Sequence, residues 1–255
     1  MTDPGPASGD APTGLLAAVG PYFAVRQGVP GEPPPAGLRP LRELYATGPG
    51  SALAERIPLV AERLGTAEPR VAASVLHLGL AARLWSVALG AAVLGAAVPD
   101  LHPDRTHAAL PPQGPIDLWL PAAGPATRPA SAVELRRVVV AENLVPLAAA
   151  VRSVTPVSEG LLWGNAASAL AGALRVLHQH VCGTRPAAAR AAHRFTDDLL
   201  ALDPLADAGT LTCTGAAGPP AFRRTSCCLY YRVGPGAGIC GDCVFDAPPA
   251  RPARP

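Results

Sequence analysis

The chain has little of several residue types that mark common classes of protein. It contains no lysine, so all 21 basic residues are arginine, and aromatic residues make up only 4% of its 255 residues. Its 19 acidic residues leave a formal net charge of +2, and the sequence has no long basic run. Because nucleic-acid binding depends on concentrated positive charge, the sequence predicts no nucleic-acid partner.

The sequence also lacks the segments that direct export or cross a membrane. Residues 1–10, M-T-D-P-G-P-A-S-G-D, show no basic start followed by an apolar stretch. Arg83 interrupts the most apolar region, residues 71–98, so that the uncharged run after it, residues 84–98, is only fifteen residues long. A bilayer span needs about 20 residues. We therefore expect a cytoplasmic protein whose apolar segments are buried helices.

What the chain does have is apolar residues at helical spacing, which predict a mainly α fold with minor β structure. Capping signals mark two of the helices: Thr66 with Pro69, and the box formed by Ser131 and Glu134. Residues 116–120 alternate enough to predict a short strand. The predicted helices cover residues 14–26 in part, 53–64, 66–97, 155–183 and 186–202, and a further helix runs from 131 through 140 and kinks or restarts at 146.

Composition divides the chain into five parts. Residues 1–13 and 247–255 are rich in proline and small residues and are predicted to be disordered tails. Residues 14–205 form the predicted helical body. Residues 206–220 are predicted to be a linker, and residues 221–246 a small cysteine-rich module.

Four of the six cysteines lie close together in that module. Cys227 and Cys228 are adjacent, and Cys240 and Cys243 form a C-x-x-C pair after a Gly/Pro loop. Such a set can surround zinc or an iron–sulfur cluster, and a disulfide or free thiols are the alternatives. Zinc sites usually space both cysteine pairs by two to four residues, whereas a two-iron cluster accepts adjacent cysteines more easily. Cys182 and Cys213 lack such spacing and are predicted to be free thiols.

The stretch R-R-T-S-C-C-L-Y-Y-R followed by C-G-D-C resembles the C-terminal signature of the FhuF-like ferric-siderophore reductases. The resemblance covers residues 222–245, and the segments P-Y-F-A-V-R and L-L-W-G-N-A-A-S-A-L are similar in a less diagnostic way. That family holds a [2Fe-2S] cluster through C-C-x10-C-x2-C, whereas this chain has eleven residues, 229–239, between the pairs. The resemblance implies a [2Fe-2S] cluster on Cys227, Cys228, Cys240 and Cys243.

The same resemblance implies an enzyme, a ferric-siderophore reductase. One electron passed to Fe(III) gives Fe(II), which hard oxygen donors hold more weakly, so reduction releases the iron. Two alternatives stay open: an iron–sulfur electron carrier or redox sensor with another partner, and a zinc-stapled interaction domain. The implied partners are a ferric siderophore, an unidentified electron donor and, for a protein peripheral at the inner face of the cell membrane, a siderophore transporter.

Three arginines flank the cysteines and are candidates for substrate binding or cluster tuning. Arg223, Arg224 and Arg232 are expected along a groove between the body and the module, where an oxygen-rich chelate would dock. The alternative is a solvated face of the module. Trp163 and Asn165 are candidates for a ligand site, with a core tryptophan and a surface asparagine as the alternative.

Overall fold

The computed structural model describes residues 12–48, 50–95, 97–111, 114–122, 128–213, 219–234 and 236–249. The fold is mainly α-helical with minor strands, as predicted. Its α-helices are α1 (Pro12–Val19), α2 (Leu41–Leu44), α3 (Ala52–Arg63), α4 (Pro69–Leu94), α5 (Ala132–Leu135), α6 (Val145–Val154), α7 (Glu159–Val181) and α8 (Pro186–Leu200). A π-helix (Arg136–Leu144) joins α5 to α6, and a 3-10 helix (Tyr230–Arg232) lies in the cysteine module.

Helices α4 and α7 form the centre of the body and pack against each other along their lengths. Pro69 occupies the first turn of α4, and the Thr66 hydroxyl accepts a hydrogen bond from the Glu68 backbone N–H. The buried residues of α4 occupy nearly its whole circumference, whereas the sequence predicted one apolar stripe. The helix is therefore covered on all sides by the rest of the body.

Helix α4 is also the one described helix that is long and apolar enough to cross a membrane. Its most apolar 18-residue window is 72% buried inside the protein. An apolar helix covered by other helices on this scale has the environment of a core helix. The expectation that this region is a buried helix is therefore met.

The strands are β1 (Arg26–Gln27), β2 (Arg39–Pro40), β3 (Ala97–Val98), β4 (His107–Ala109), β5 (Asp117–Leu120), β6 (Arg128–Pro129), β7 (Gly209–Cys213) and β8 (Pro220–Arg224). Within the described residues they form three small sheets. The largest has the order β1–β5–β4–β2, in which β5 pairs in parallel with β1 and antiparallel with β4. The predicted strand at 116–120 is β5, and its Trp119 is buried.

The predicted linker at residues 206–220 is wrong. Residues 209–213 form β7, which pairs antiparallel with β8 and so leads directly into the cysteines. The Gly, Thr and Pro content that suggested a linker is here the composition of a hairpin. Of the predicted tails, residues 1–11 and 250–255 lie outside the described residues, and α1 begins at Pro12, within the range predicted to be disordered.

Three side chains of the central helices lie in environments that their local sequence does not mark. His77 is fully buried with neither ring nitrogen hydrogen-bonded within the described residues. Asn165, expected on the surface, is fully buried. Trp163, expected in the core, is partly exposed and donates its indole N–H to Glu159. Asn165 is buried because α4 covers it, where its amide donates to Ser74.

Arg83 is a buried charge that joins three separate segments. It is 3% exposed, and its guanidinium donates to the backbone carbonyls of Ile116, Tyr22 and Ala24. Burial lowers the pKa of Arg83 to about 10, which still leaves the side chain charged at neutral pH. One side chain on α4 thus fixes the segment after α1 and the start of β5.

We expect Arg83→Met to lower the free energy of unfolding by about 3 kcal/mol, because three backbone carbonyls, one buried and two partly buried, lose their donor. Urea denaturation measures the change. Arg63→Met removes an exposed arginine from α3 and should change the stability by less than about 0.5 kcal/mol. Equal stability of the two variants would contradict the role given to Arg83.

Candidate metal centre

The cysteine module begins with strand β8, whose side chains alternate between buried and exposed. Phe222 and Arg224 face inward, and Ala221 and Arg223 face outward. This period-2 alternation is that of a strand with one face on a core. The strand therefore brings the chain to Cys227 along the surface of α7.

A left-handed residue directly follows the adjacent cysteines. Leu229 has φ of 65°, the one positive φ at a described residue other than glycine. Such a backbone costs about 1–2 kcal/mol for an L-residue, so surrounding contacts must hold it. Its partly buried side chain packs against the hydrophobic core, which supplies such contacts. At Leu229 the chain turns from the two cysteines into the 3-10 helix at Tyr230–Arg232.

The four cysteine sulfurs lie in one place. The sulfurs of Cys228 and Cys240 are 3.3 Å apart, and Cys227 and Cys243 lie within electrostatic range of that pair. All four are free thiols; Cys228 and Cys243 are buried, and Cys227 and Cys240 are half-buried. The structure therefore brings together the four cysteines that the sequence predicted as ligands.

A backbone N–H two residues further along the chain faces each sulfur. Leu229 N lies 3.3 Å from the sulfur of Cys227, and Phe245 N lies 3.4 Å from that of Cys243. Tyr230 N–H donates to Cys228 and Asp242 N–H to Cys240. Hydrogen bonds of this kind stabilise thiolates and tune the potential of iron–sulfur clusters. The donor set and these N–H groups fit a [2Fe-2S] cluster.

The short contact between Cys228 and Cys240 shifts the pKa values of the two thiols in opposite directions. The side-chain hydrogen bond between the two sulfurs lowers the pKa of Cys228 and raises the pKa of Cys240. Burial raises the pKa of Cys227. At neutral pH the pair therefore shares a proton, which has to leave when both sulfurs bind a metal.

In the described part of the chain, no three His, Cys, Asp or Glu side chains surround a single point at the spacing of one metal ion. The contact between Cys228 and Cys240 is thus a pairwise approach, with the other two sulfurs further away.

The module is hydrogen-bonded to both central helices. The Ser74 hydroxyl on α4 donates to the Cys228 carbonyl at 2.7 Å, and the Asn165 amide donates to Ser74. The Ser226 hydroxyl donates to the carbonyl of Gly160 at 2.8 Å. A Cβ atom at Gly164 would lie 2.2 Å from the Ser226 hydroxyl, so only glycine fits there. The missing side chain at Gly164 therefore lets the module approach α7.

A buried carboxylate joins the C-G-D-C loop to α7. Asp242 is 6% exposed and accepts hydrogen bonds from the Ser168 hydroxyl and from both terminal nitrogens of Arg175, at 2.8 and 3.1 Å. Its carbonyl accepts from the backbone N–H of Arg224 at 3.0 Å. The loop between Cys240 and Cys243 is therefore fixed from two directions.

The three predicted arginines lie in three different environments. Arg224 is 2% exposed and donates to the carbonyls of Ser226 and Leu161, so it lies beneath the cysteines and not along an exposed groove. Arg232 is paired with Glu68 at 2.8 Å, at the start of α4. Arg223 is exposed and contacts Asp246. The prediction that all three line a groove is wrong for Arg224, because the inward alternation of β8 buries it.

Cys182 and Cys213 lie apart from the four clustered cysteines. Cys182 is exposed at the end of α7, and Cys213 is exposed on β7 with its sulfur 3.5 Å from the Nδ1 atom of His193. Both are free thiols, as predicted.

Five residues that attach the module were not predicted from the sequence, namely Ser74, Ser168, Arg175, Ser226 and Asp242. Only Asp242 carried a signal, since a carboxylate inside C-x-x-C lies necessarily beside the sulfurs. The others are single polar residues whose partners are distant in the chain, so nothing in their local sequence marks them.

We expect Asp242→Asn to lower the free energy of unfolding by about 1–3 kcal/mol and to weaken cluster retention, because Arg175 then loses its partner. Thermal unfolding and the visible absorbance of anaerobically purified protein measure both effects. The matched control is Asp246→Asn, whose carboxylate is 89% exposed and pairs with Arg223 at the surface. A surface pair contributes about 0–1 kcal/mol, so this variant should behave as wild type. Equal cluster loss in the two variants would remove the special role of Asp242.

Comparison with known families gives one match. Residues 224–245, which contain all four clustered cysteines, match the FhuF 2Fe-2S C-terminal domain. No curated protein matches the chain. The matched stretch begins at the buried Arg224 and ends at Phe245, whose N–H faces Cys243. The C-terminal module is therefore similar to the FhuF 2Fe-2S domain over residues 224–245, and it holds a [2Fe-2S] cluster.

Proposed function

We propose that this protein is a cytoplasmic ferric-siderophore reductase that passes one electron at a time from its [2Fe-2S] cluster to a ferric siderophore. The observation that carries the proposal is the partial exposure of the FhuF-type cysteine site. Cys227 and Cys240 are half-buried, while Cys228 and Cys243 are buried. One side of the site therefore faces the body, and the other can be approached from solvent.

When bound by the four cysteines, the cluster supplies one-electron redox chemistry. The surrounding residues set its electrostatic environment. The buried guanidinium of Arg224 has no carboxylate partner among the described residues, since its hydrogen bonds go to the carbonyls of Ser226 and Leu161. Four thiolates bring negative charge, and a buried positive charge in electrostatic range of Cys227 and Cys228 stabilises it. Arg224 thus supports the cluster rather than the substrate.

The exposed side of the module offers a surface suited to a bulky, oxygen-rich chelate. Tyr230 and Phe245 are 42% and 37% exposed, and Arg223 is exposed on the outward face of β8. Aromatic faces and guanidinium groups can contact the ligand frame of a ferric chelate without enclosing it. Electron transfer needs approach to the cluster, and it needs no bond between the iron and the protein.

The partners of such a reductase are the ferric siderophore and an electron donor that re-reduces the cluster. Release of Fe(II) on the cytoplasmic side fits a protein that is free in the cytoplasm or peripheral at the inner face of the cell membrane, beside a siderophore transporter.

Anaerobically purified protein should contain two irons and two sulfides per chain, as a [2Fe-2S] cluster requires. We expect Cys228→Ser and Cys243→Ser to lose most of the iron, because these buried sulfurs have no substitute ligand among the described residues. Iron and sulfide analysis with visible and EPR spectra measures the content. Cys182→Ser and Cys213→Ser are the matched controls and should retain it. Stoichiometric zinc in protein purified without oxygen would contradict the assignment.

Reduced protein should be oxidised by ferrioxamine B and by a ferric catecholate chelate in single-turnover stopped-flow experiments, with Fe(II) trapped by ferrozine. We expect Arg223→Ala, which removes an exposed charge, to slow reduction of the anionic catecholate about threefold at low salt, and less at high salt, because exposed charges are screened. Arg232→Ala should slow it less, because Arg232 is partly buried and paired with Glu68.

The control for these variants is Arg190→Ala, which removes an exposed arginine from α8 and should leave the rate unchanged. A cluster that is reduced and reoxidised normally by dyes but never by ferric chelates would reject the reductase proposal and favour an electron carrier or redox sensor.

A further inference from the structure

A cavity of about 520 Å³ lies between the two central helices and reaches the cluster-binding loop. Its walls are α4 and α7, and residues 19–23 border it on another side. Cys240, Gly241 and Asp242 also line it. The volume is within the range of small-molecule sites, about 300–1,000 Å³.

Two glycines within these helices line the cavity, and no close neighbour requires glycine at either position. A Cβ atom at Gly79 on α4 would meet nothing within 4 Å, and one at Gly172 on α7 would meet only an Arg175 nitrogen at 3.8 Å. By contrast, a Cβ at Gly90 would lie 2.6 Å from Leu16, and one at Gly164 would clash with Ser226. Glycine within a helix is destabilising relative to alanine. Gly79 and Gly172 therefore keep the cavity open at the expense of helix stability.

Hydrogen-bond donors lie at the loop side of the cavity, and the rest is mostly apolar, with Tyr22 and Ser86 as polar exceptions. Val75, Leu78, Ala82 and Val176 are among the apolar lining residues. Arg224 also lines the cavity, is 2% exposed, and its Nη1 atom has no hydrogen-bond partner within the described residues. This buried, unpartnered donor needs an acceptor.

The charges of the lining residues favour a neutral ligand. Asp242 is already paired with Arg175 and with the Ser168 hydroxyl, so no unpaired carboxylate among the described lining residues would bind a cation. Arg224 is the one described lining cation without a carboxylate partner, and its terminal nitrogen suits a single acceptor. A ferric siderophore, large and oxygen-rich, does not fit such apolar walls.

We propose that this cavity binds a neutral, flat aromatic ring with a carbonyl oxygen, that is, a compound of the quinone class. The ring lies between the helices at Gly79 and Gly172, and its carbonyl accepts a hydrogen bond from Arg224. The cavity is distinct from the exposed side of the module. It binds the ring whether or not the protein reduces ferric siderophores.

The probe is 2,3-dimethyl-1,4-naphthoquinone, added to the oxidised, cluster-loaded protein without oxygen. Its two quinone ring positions are methylated, so the exposed thiols of Cys182 and Cys213 cannot add to them. Calorimetry should show one saturable site. The visible circular dichroism of the cluster should change on binding, because Cys240 and Gly241 line the cavity.

Filling the cavity should abolish this binding. We expect Gly79→Leu and Gly172→Leu to weaken it at least about tenfold, because the new side chain occupies the ligand space. The matched control is Gly160→Leu, in the exposed first turn of α7 and away from the cavity, which should bind as wild type. Gly79→Ala and Gly172→Ala should raise the melting temperature while weakening binding, which separates loss of the site from loss of folding.

The carbonyl is tested with 2,3-dimethylnaphthalene, which has the same ring shape without oxygen and should bind at least about tenfold more weakly. Equal binding of the hydrocarbon would overturn the quinone assignment. Absence of quinone binding, or binding that neither leucine variant weakens, would overturn the site itself. Quinone binding by a protein that fails to reduce ferric chelates would uphold this inference while rejecting the proposed function.

Discussion

The buried carboxylate of Asp242 is the interaction on which the geometry of the metal centre depends. It receives donors from two residues of α7, and its own backbone contacts both Arg224 and the sulfur of Cys240. A charged group removed from water is stable only when its partners are complete. The carboxylate thus connects the C-G-D-C loop firmly to α7. This connection holds the sulfurs of the loop in place.

Glycines of the two central helices serve two opposite purposes. At Gly164 the missing side chain lets the module approach until Ser226 touches the helix. At Gly79 and Gly172 the missing side chains leave space open. The same residue type therefore marks a close contact at one position and a cavity at another. Only the neighbouring atoms distinguish them, and those atoms belong to chain segments far away in sequence.

The helices and the grouping of the four clustered cysteines could be predicted from the sequence, since both depend on local information. The close spacing of these cysteines places them in one module, and the Ser131 cap acts on an N–H only three residues away. The environments of Arg224 and Asn165 could not be predicted, because each is buried by a contact across dozens of residues. The hairpin of β7 and β8 has the composition of a linker, since most of the β7 side chains are exposed to solvent.

The contacts beneath the cluster also bear on the order in which the protein matures. Ser74 and the Cys228 carbonyl are 154 positions apart, and Ser168 and Asp242 are 74 apart. Because the module contacts both α4 and α7, it docks completely only once these two helices are packed together. A cluster that binds only the docked module would then stabilise the closed arrangement by mass action.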